Sequence, residues 1–298
     1  MSISWLVPRQ WHRLSSTPSI HTARPDSLGR KLIHLNPLPI LRSTQQLSMR
    51  ITCIRVFKAD LPMKEGSYSW STQSHTAFDT TVVLVETNQG ITGVGECCPL
   101  GPTYLPAYAQ GVRAGISQLA PSLIGEDPTQ IECINDTMDA LLKGHPYVKS
   151  AIDMACWDIL GKVSGLPLYT LLGGLRQEKV TLYKVVTRAD PGAMAERIPE
   201  YRAQGYHQFQ VKVGEDPATD IIRIHRVAQE MEAGEVLNAD ANTGWKQHEA
   251  LQVANGIADL ATQTGIRLTF EQPCLSYEEC LAVRAHTDLP FVLDECID

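Results

Sequence analysis

The sequence predicts an α/β protein: an α+β unit, then a parallel sheet built from strand–helix repeats. Three observations carry this. From Ile51 to Glu96 β-branched residues dominate, and Thr80–Glu86, the Asn88-Gln89-Gly90 turn and Ile91–Glu96 read as strand, turn, strand. Beyond Gly174 short apolar segments alternate with amphipathic helical stretches. Four of those segments end in an ionisable residue. Alternation of this kind means a parallel sheet, either barrel or doubly wound.

In chain order, Ile152, Cys156, Ile159 and Val163 fall at helical spacing, and Gly165 with Pro167 stop that helix. The later strands are predicted at Val180–Val186, Phe209–Val213, Val236–Ala241, Leu268–Glu271 and Phe291–Leu293. Between them, Ile221, Ile224, Val227 and Met231 mark one helix and Leu251, Ala254, Ile257 and Leu260 the next. A third opens on a Ser276/Glu279 capping box. The predicted units are an extension over 1–48, expected to be disordered, an α+β domain over 49–175, and strand–helix repeats over 176–298.

The 298 residues are 43% hydrophobic and 20% charged, with 26 basic against 33 acidic side chains and a net charge of −7. That balance offers no broad cationic surface to nucleic acid or anionic lipid, and a small-molecule partner is expected. No stretch approaches the roughly 18 apolar residues that cross a bilayer. The eight cysteines show no Cys-x-x-Cys spacing and read as buried free thiols in a reducing compartment. Residues 1–48 hold six basic side chains and one acid, Asp26. This acid-poor leader fits a mitochondrial transit segment, although its five prolines spoil an amphipathic helix. The other reading is a cytoplasmic protein starting at Met49.

The charged strand ends are Lys212, Asp240, Glu271 and Asp294, separated by 28, 31 and 23 residues. Singly, each has an ordinary explanation: an Asp after a strand often caps the next helix, and a Lys often reaches solvent. Four in successive strands are different. In a barrel the C-terminal strand ends converge on one mouth, where three acids repel unless a cation neutralises them. With no His or Cys beside them, the set suits Mg²⁺, and Mn²⁺ by the same chemistry. A lysine facing such a metal suits removal of a proton from carbon next to a carboxylate, with nearby positive charge lowering the lysine's pKa. By strand alternation Gln210 shares a face with Lys212, where it is a candidate to hydrogen-bond substrate or hold the lysine in place, and Asn242 shares one with Asp240. Glu295 should point away from the mouth, supporting the ligand set from outside it. Tyr68 and Trp70, and Tyr104 in a second loop, are candidates to stack on a small ring. His145 is read as structural, and Gly90, Gly93 and Gly95 lack the helix that a dinucleotide loop needs.

From Met49 onward these residues resemble the mandelate racemase and muconate lactonizing branch of the enolase superfamily. The resemblance implies an α+β capping domain on a modified (β/α) TIM barrel, of which about five strands are present. It places metal ligands at Asp240, Glu271 and Asp294, and the base at Lys212, the second lysine of a Lys-x-Lys motif whose first is Gln210 here. With Lys64-Glu-Gly-Ser-Tyr-Ser-Trp70, Glu96-Cys-Cys-Pro-Leu-Gly101, Gly144-His-Pro-Tyr147 and Glu271-Gln-Pro-Cys274, the chain looks most like the cis-3-hydroxy-L-proline dehydratases. That implies α-proton abstraction through a metal-stabilised enediolate, loss of water and a pyrroline-2-carboxylate product. The alternative is a proline-betaine 2-epimerase or racemase, which needs a second acid/base that the family places on strand six. The family also implies symmetrical homo-oligomers. An eightfold barrel needs roughly three more strand–helix units, so the chain as given is expected to be truncated and inactive; a third reading makes it a fragment without catalytic role.

Overall fold

The computed structural model describes residues 3–4, 48–71 and 73–297. The extension over 1–48 therefore lies, apart from residues 3–4 and 48, outside the described residues. The first part comprises β1 (Ile3–Ser4), β2 (Ile51–Pro62), β3 (Tyr68–Trp70), β4 (Gln73–His75), β5 (Ala77–Thr87) and β6 (Thr92–Cys97), followed by α1 (Ala109–Leu123), α2 (Ile131–Leu141), α3 (Pro146–Ser164) and α4 (Leu168–Leu171). The second comprises β7 (Lys184–Val186), α5 (Pro191–Ala203), β8 (Gln208–Lys212), α6 (Pro217–Gln229), β9 (Val236–Asp240), α7 (Gln247–Gly256), α8 (Leu260–Thr264), β10 (Arg267–Glu271), α9 (Tyr277–Arg284) and β11 (Phe291–Val292).

In the first part an antiparallel sheet of order β1-β2-β5-β6 packs on α1–α3 around Ile51, Ile54, Val83, Val85, Ile116, Leu119, Ile152 and Ile159. Alternation along β5 sends Val83 and Val85 into this core. Gly93 and Gly95 are explained here: a Cβ on Gly95 would stand 1.8 Å from the Ala151 carbonyl oxygen, and one on Gly93 2.0 Å from that of Ala155. The two glycines let β6 lie directly on the backbone of α3. His145 sits before α3 with φ 52°, against Tyr147, and serves the helix start.

The second part is a five-stranded parallel sheet in the sequential order β7-β8-β9-β10-β11. A doubly wound sheet reverses its strand order part-way, whereas an order that never reverses is the winding of a barrel. Phe209, Val211, Leu237, Ala239, Leu268 and Phe270 meet Ile198, Ile224, Val227, Val253 and Val283 from the helices in a second core.

Several elements differ from expectation in extent. The strand over Val180–Val186 shortens to Lys184–Val186; its partner β8 begins only at Gln208, and Val180, Leu182 and Tyr183 are exposed. The helix from Leu251 to Leu260 is broken into α7 and α8 at Ile257, although Ala254, Ile257 and Leu260 are all buried. Val163 is exposed at the end of α3, while Ile152, Cys156 and Ile159 are fully buried. The Ser276/Glu279 box forms with both hydrogen bonds at 3.2 Å. All eight thiols are free, but only Cys53, Cys156, Cys274 and Cys280 are buried and Cys133 is exposed. Among the described residues no helix is long and apolar enough to cross a membrane.

At the sheet end away from the charged strand ends, Glu235 is buried between Arg202 Nε and Nη2, each at 2.8 Å, the Glu232 amide at 2.9 Å and His207 Nδ1 at 3.1 Å. Burial pushes this carboxyl up, but the guanidinium and the other donors outweigh it and hold the group below its ordinary 4.5. A depressed acid contributes stability that is complete above the unfolded pKa and is lost as pH falls through the folded one. Glu235→Gln should therefore cost about 2 kcal/mol in urea unfolding at pH 7, with the difference from wild type closing as the pH falls below about 4.5. Gly95→Ala should cost about 3 kcal/mol at any pH, because β6 must move off α3; unchanged unfolding midpoints would contradict that close approach.

Candidate active site at the sheet's C-terminal edge

Parallel pairing puts Lys212 beside Asp240 and Asp240 beside Glu271, with Val292 next in the row. Neighbours in a parallel sheet share a face, so three of the four charged strand ends form one row. Asp294 lies two residues past Val292, where β11 has already ended. One level below, Gln210 pairs with Asn238 and Asn238 with Thr269.

The two levels are joined by hydrogen bonds. Lys212 Nζ donates to Asp240 Oδ2, and both side chains are buried. Glu271 Oε2 accepts from Gln210 Nε2 at 2.9 Å and from Asn238 Nδ2, whose own oxygen takes the Thr269 hydroxyl at 2.7 Å. Asp240 Oδ1 accepts the Asn242 amide at 2.8 Å. Gln272, fully buried with φ 33°, takes the Asp294 amide on its side-chain oxygen at 2.7 Å and so fixes where that strand ends. Asn238 and Gln272 were missed in the sequence. Asn238 was within reach, since it lies two residues before Asp240 on the same face; Gln272 acts through a left-handed backbone that alternation does not foresee.

Glu295 does not point away. A turn closed by the Ile297 amide on the Asp294 carbonyl, at 2.9 Å, ends strand alternation, and Glu295 Oε1 accepts Asn242 Nδ2 at 3.0 Å. Asn242 does stay near Asp240, but through a turn with φ 43° and not as a strand neighbour.

Acid outweighs base at this edge. Burial raises the Asp240 carboxyl against the pull of Lys212, and burial with the charge of Asp240 raises Glu271. Burial lifts Glu295 to about 7, with Asp240 and Asp294 adding to it. Burial disfavours the charged form of Lys212, but Asp240 and the Tyr68 phenol outweigh it, so its pKa is raised. In this arrangement the amine is held as ammonium by its carboxylate.

Three aromatic residues from the first part cover the edge. Lys212 Nζ lies 5.9 Å from the centre of the Tyr68 ring. Trp70 is 3% exposed, stacked on His75 at 4.9 Å and met edge-on by Tyr104 at 6.1 Å, so its ring is a wall of the cluster and not an open face. Tyr104 donates to Asp294 Oδ2 at 2.9 Å, which ties a loop of the first part to the last strand end of the second.

Sequence profiles place this arrangement. The profile for the mandelate racemase / muconate lactonizing enzyme N-terminal domain matches residues 51–173, and that for the enolase C-terminal domain-like fold matches 193–298. The chain belongs to the mandelate racemase/muconate lactonizing enzyme family. Among its relatives in this family, a cis-3-hydroxy-L-proline dehydratase of Roseibium aggregatum is 53% identical over 251 residues, 84% of this chain and 67% of that protein. An N-succinyl-L-Arg/Lys racemase of Bacillus cereus is 33% identical over 83% of this chain and 66% of its own. A crystal structure of an enolase superfamily member from Roseovarius nubinhibens complexed with magnesium superposes with a TM-score of 0.74 at 41% identity, covering 84% of this chain and 66% of the other. The chain spans about two thirds of the length of these relatives.

The donor set fits a hard divalent cation in its chemistry. Among the described residues, carboxylate oxygens at this edge exceed the ammonium of Lys212, and two buried acceptors, Asn242 Oδ1 and Glu295 Oε2, have no hydrogen-bond partner. The carboxylates of Asp240, Glu271 and Asp294 are turned to Lys212, the two amides and Tyr104 respectively. Among the described residues no three His, Cys, Asp or Glu side chains are gathered as for a metal ion. Lys212, Gln210 and Tyr68 are brought together with Asp240 and Glu271; Asp294 reaches them by way of Tyr104 and Trp70.

Proposed function

We propose that the complete protein is a Mg²⁺-dependent hydro-lyase that removes water from cis-3-hydroxy-L-proline. The observation that carries this reading is the buried amine of Lys212, which lies against Asp240 at the strand ends and under the Tyr68 ring. The 53% identity to a dehydratase of that substrate supports the choice of reaction. Asp240, Glu271 and Asp294 would hold the cation, with Asn242 steadying Asp240 through its amide and Glu295 accepting from Asn242 in turn. When bound, the cation supplies positive charge against the substrate carboxylate.

The chain's own residues account for the remaining work. Lys212 accepts the α-proton once it is released from Asp240 and has become a free amine. A small ring bound beside Tyr68 would bring its α-carbon towards Nζ, which lies 5.9 Å from the centre of that aromatic ring. The C–H electron pair moves into the ring as the C–O bond on the adjacent carbon breaks, and the hydroxide lost and the α-proton taken by Lys212 together make up the water released. The enamine then tautomerises to a pyrroline-2-carboxylate. Gln210 and Asn238 hold Glu271 in place through its Oε2. Tyr68, Trp70 and Tyr104 close the mouth and exclude water, and the Tyr68 face suits a cationic ring nitrogen. Elimination needs one base, which Lys212 provides, whereas inversion needs a second on the opposite face of the substrate.

Full-length protein incubated with cis-3-hydroxy-L-proline and Mg²⁺ in D₂O should yield the pyrroline product. Lys212→Ala should lower kcat about 10³-fold or more. Deuterium collecting in inverted, undehydrated substrate would instead make the protein an epimerase. Mg²⁺ should raise the Tm of the wild type, and Asp240→Asn and Glu271→Gln should each abolish that rise; a rise retained in both would move the metal elsewhere.

A further inference from the structure

The β3–β4 hairpin, which carries Tyr68 and Trp70, meets the parallel sheet at two backbone seats. Ser69 donates its amide to Thr187 Oγ1 at 2.6 Å, and its carbonyl accepts the Thr187 hydroxyl at 3.1 Å and the Arg188 amide at 3.0 Å. Ser71 donates its amide to the Val213 carbonyl and its hydroxyl to the Gly214 carbonyl, both at 3.2 Å. Neither seat belongs to a strand: Thr187 and Arg188 follow β7, and Val213 and Gly214 follow β8. Loop backbone of this kind must be held by something other than the sheet ladder.

A buried ion pair, extended through the exposed Glu215, holds it. Asp220, on α6 and fully buried, accepts the Gly214 amide at 3.0 Å, the Glu215 amide at 2.7 Å and the Trp245 indole at 3.2 Å on Oδ2. Its Oδ1 accepts Arg223 Nη1 at 2.7 Å. Arg223 also donates Nε to the Ala189 carbonyl at 3.0 Å and Nη2 to Glu215 at 3.2 Å, and the same Glu215 oxygen takes Arg188 at 2.7 Å. One carboxylate and one guanidinium thus bind the loop after β7 to the loop after β8, and Trp245 adds the loop after β9. The fit leaves little slack, because a Cβ on Gly214 would stand 2.2 Å from the Ala241 carbonyl oxygen, and one on Gly244 2.2 Å from that of Gly214.

Burying these charges is costly, and apolar side chains would fill the space without that cost. Every bond of the pair, apart from the one between its members, goes to a loop at the candidate active-site end of the sheet. We propose that Asp220 and Arg223 are positioning residues for this site: they clasp the two loops so that the hairpin sits with Tyr68 over Lys212, and thereby set how tightly the mouth closes on substrate. The inference rests on the reading of this edge as the active site, but its first readout does not.

In the full-length protein, Asp220→Asn replaces one acceptor oxygen by an NH₂ group that opposes its N–H partners. Amide exchange over residues 68–75 should quicken about tenfold or more, with α1–α3 and the β9–β10 core unchanged. KM for the proline substrate should rise about tenfold while kcat stays within about threefold, as for a closure defect. Trp245→Phe removes one donor and keeps a ring to stack on Phe270, and it should shift the same amides in the same direction by less. Arg223→Lys should resemble Asp220→Asn. Unchanged hairpin exchange in Trp245→Phe and Arg223→Lys overturns the proposal, even if Asp220→Asn fails to fold. Exchange that rises as much in the β9–β10 core as in the hairpin overturns it as well. Faster hairpin exchange without any turnover by the wild type upholds the clasp and removes the assigned reaction instead.

Discussion

An excess of buried acid at one end of a parallel sheet governs the rest of the molecule. Asp240 is buried with a single ammonium, Lys212, to answer it, and Glu271 beside it is answered only by the amides of Gln210 and Asn238. Taking charges out of water is worthwhile only where every oxygen is given a donor or a cation. The amides of Gln210 and Asn238 one level below, the turn at Asn242 and the phenol of Tyr104 all serve that requirement. The apolar cores on either side set the distances at which these groups meet, but they do not demand the charges themselves.

The sheet and its charged row were readable from the residues because both follow from periodicity. A strand alternates every two residues and a parallel register places like positions side by side, so Lys212, Asp240 and Glu271 had to share a face once their strands were adjacent. The sequential strand order was not readable, since alternation of strands and helices is common to barrels and doubly wound sheets and only pairing separates them. Glu295 was misplaced for a related reason: parity holds only while a strand continues, and β11 stops at Val292. The same limit hid Gln272, and it brings Asn242 to Asp240 by a turn and not by strand parity, because positive φ angles take the chain out of alternation at both.

Asp220 was invisible for another reason. On α6 it has the standing of any acidic residue in a first helical turn, which is ordinarily a solvated position near the helix dipole. Its burial depends on the loops after β8 and β9 closing over it, with Arg223 bringing in the loop after β7. Gly93 and Gly95 show the converse, in which a spacing that superficially suggests a nucleotide loop is a packing device for β6 on α3. A short motif acquires meaning from the element that follows it, and here that element is another strand's helix, not its own.

The hairpin that carries Tyr68 and Trp70 is seated on the charged half of the molecule by the backbones of Ser69 and Ser71 and by the Ser71 hydroxyl, and neither aromatic ring takes part in these seats. Attachment and contact are therefore divided within one ribbon: the serines hold it to the loops, and the Tyr68 ring meets the Lys212 amine. A substitution at Tyr68 consequently changes the surroundings of the amine together with the shape of the mouth, and leaves the two points of attachment as they are.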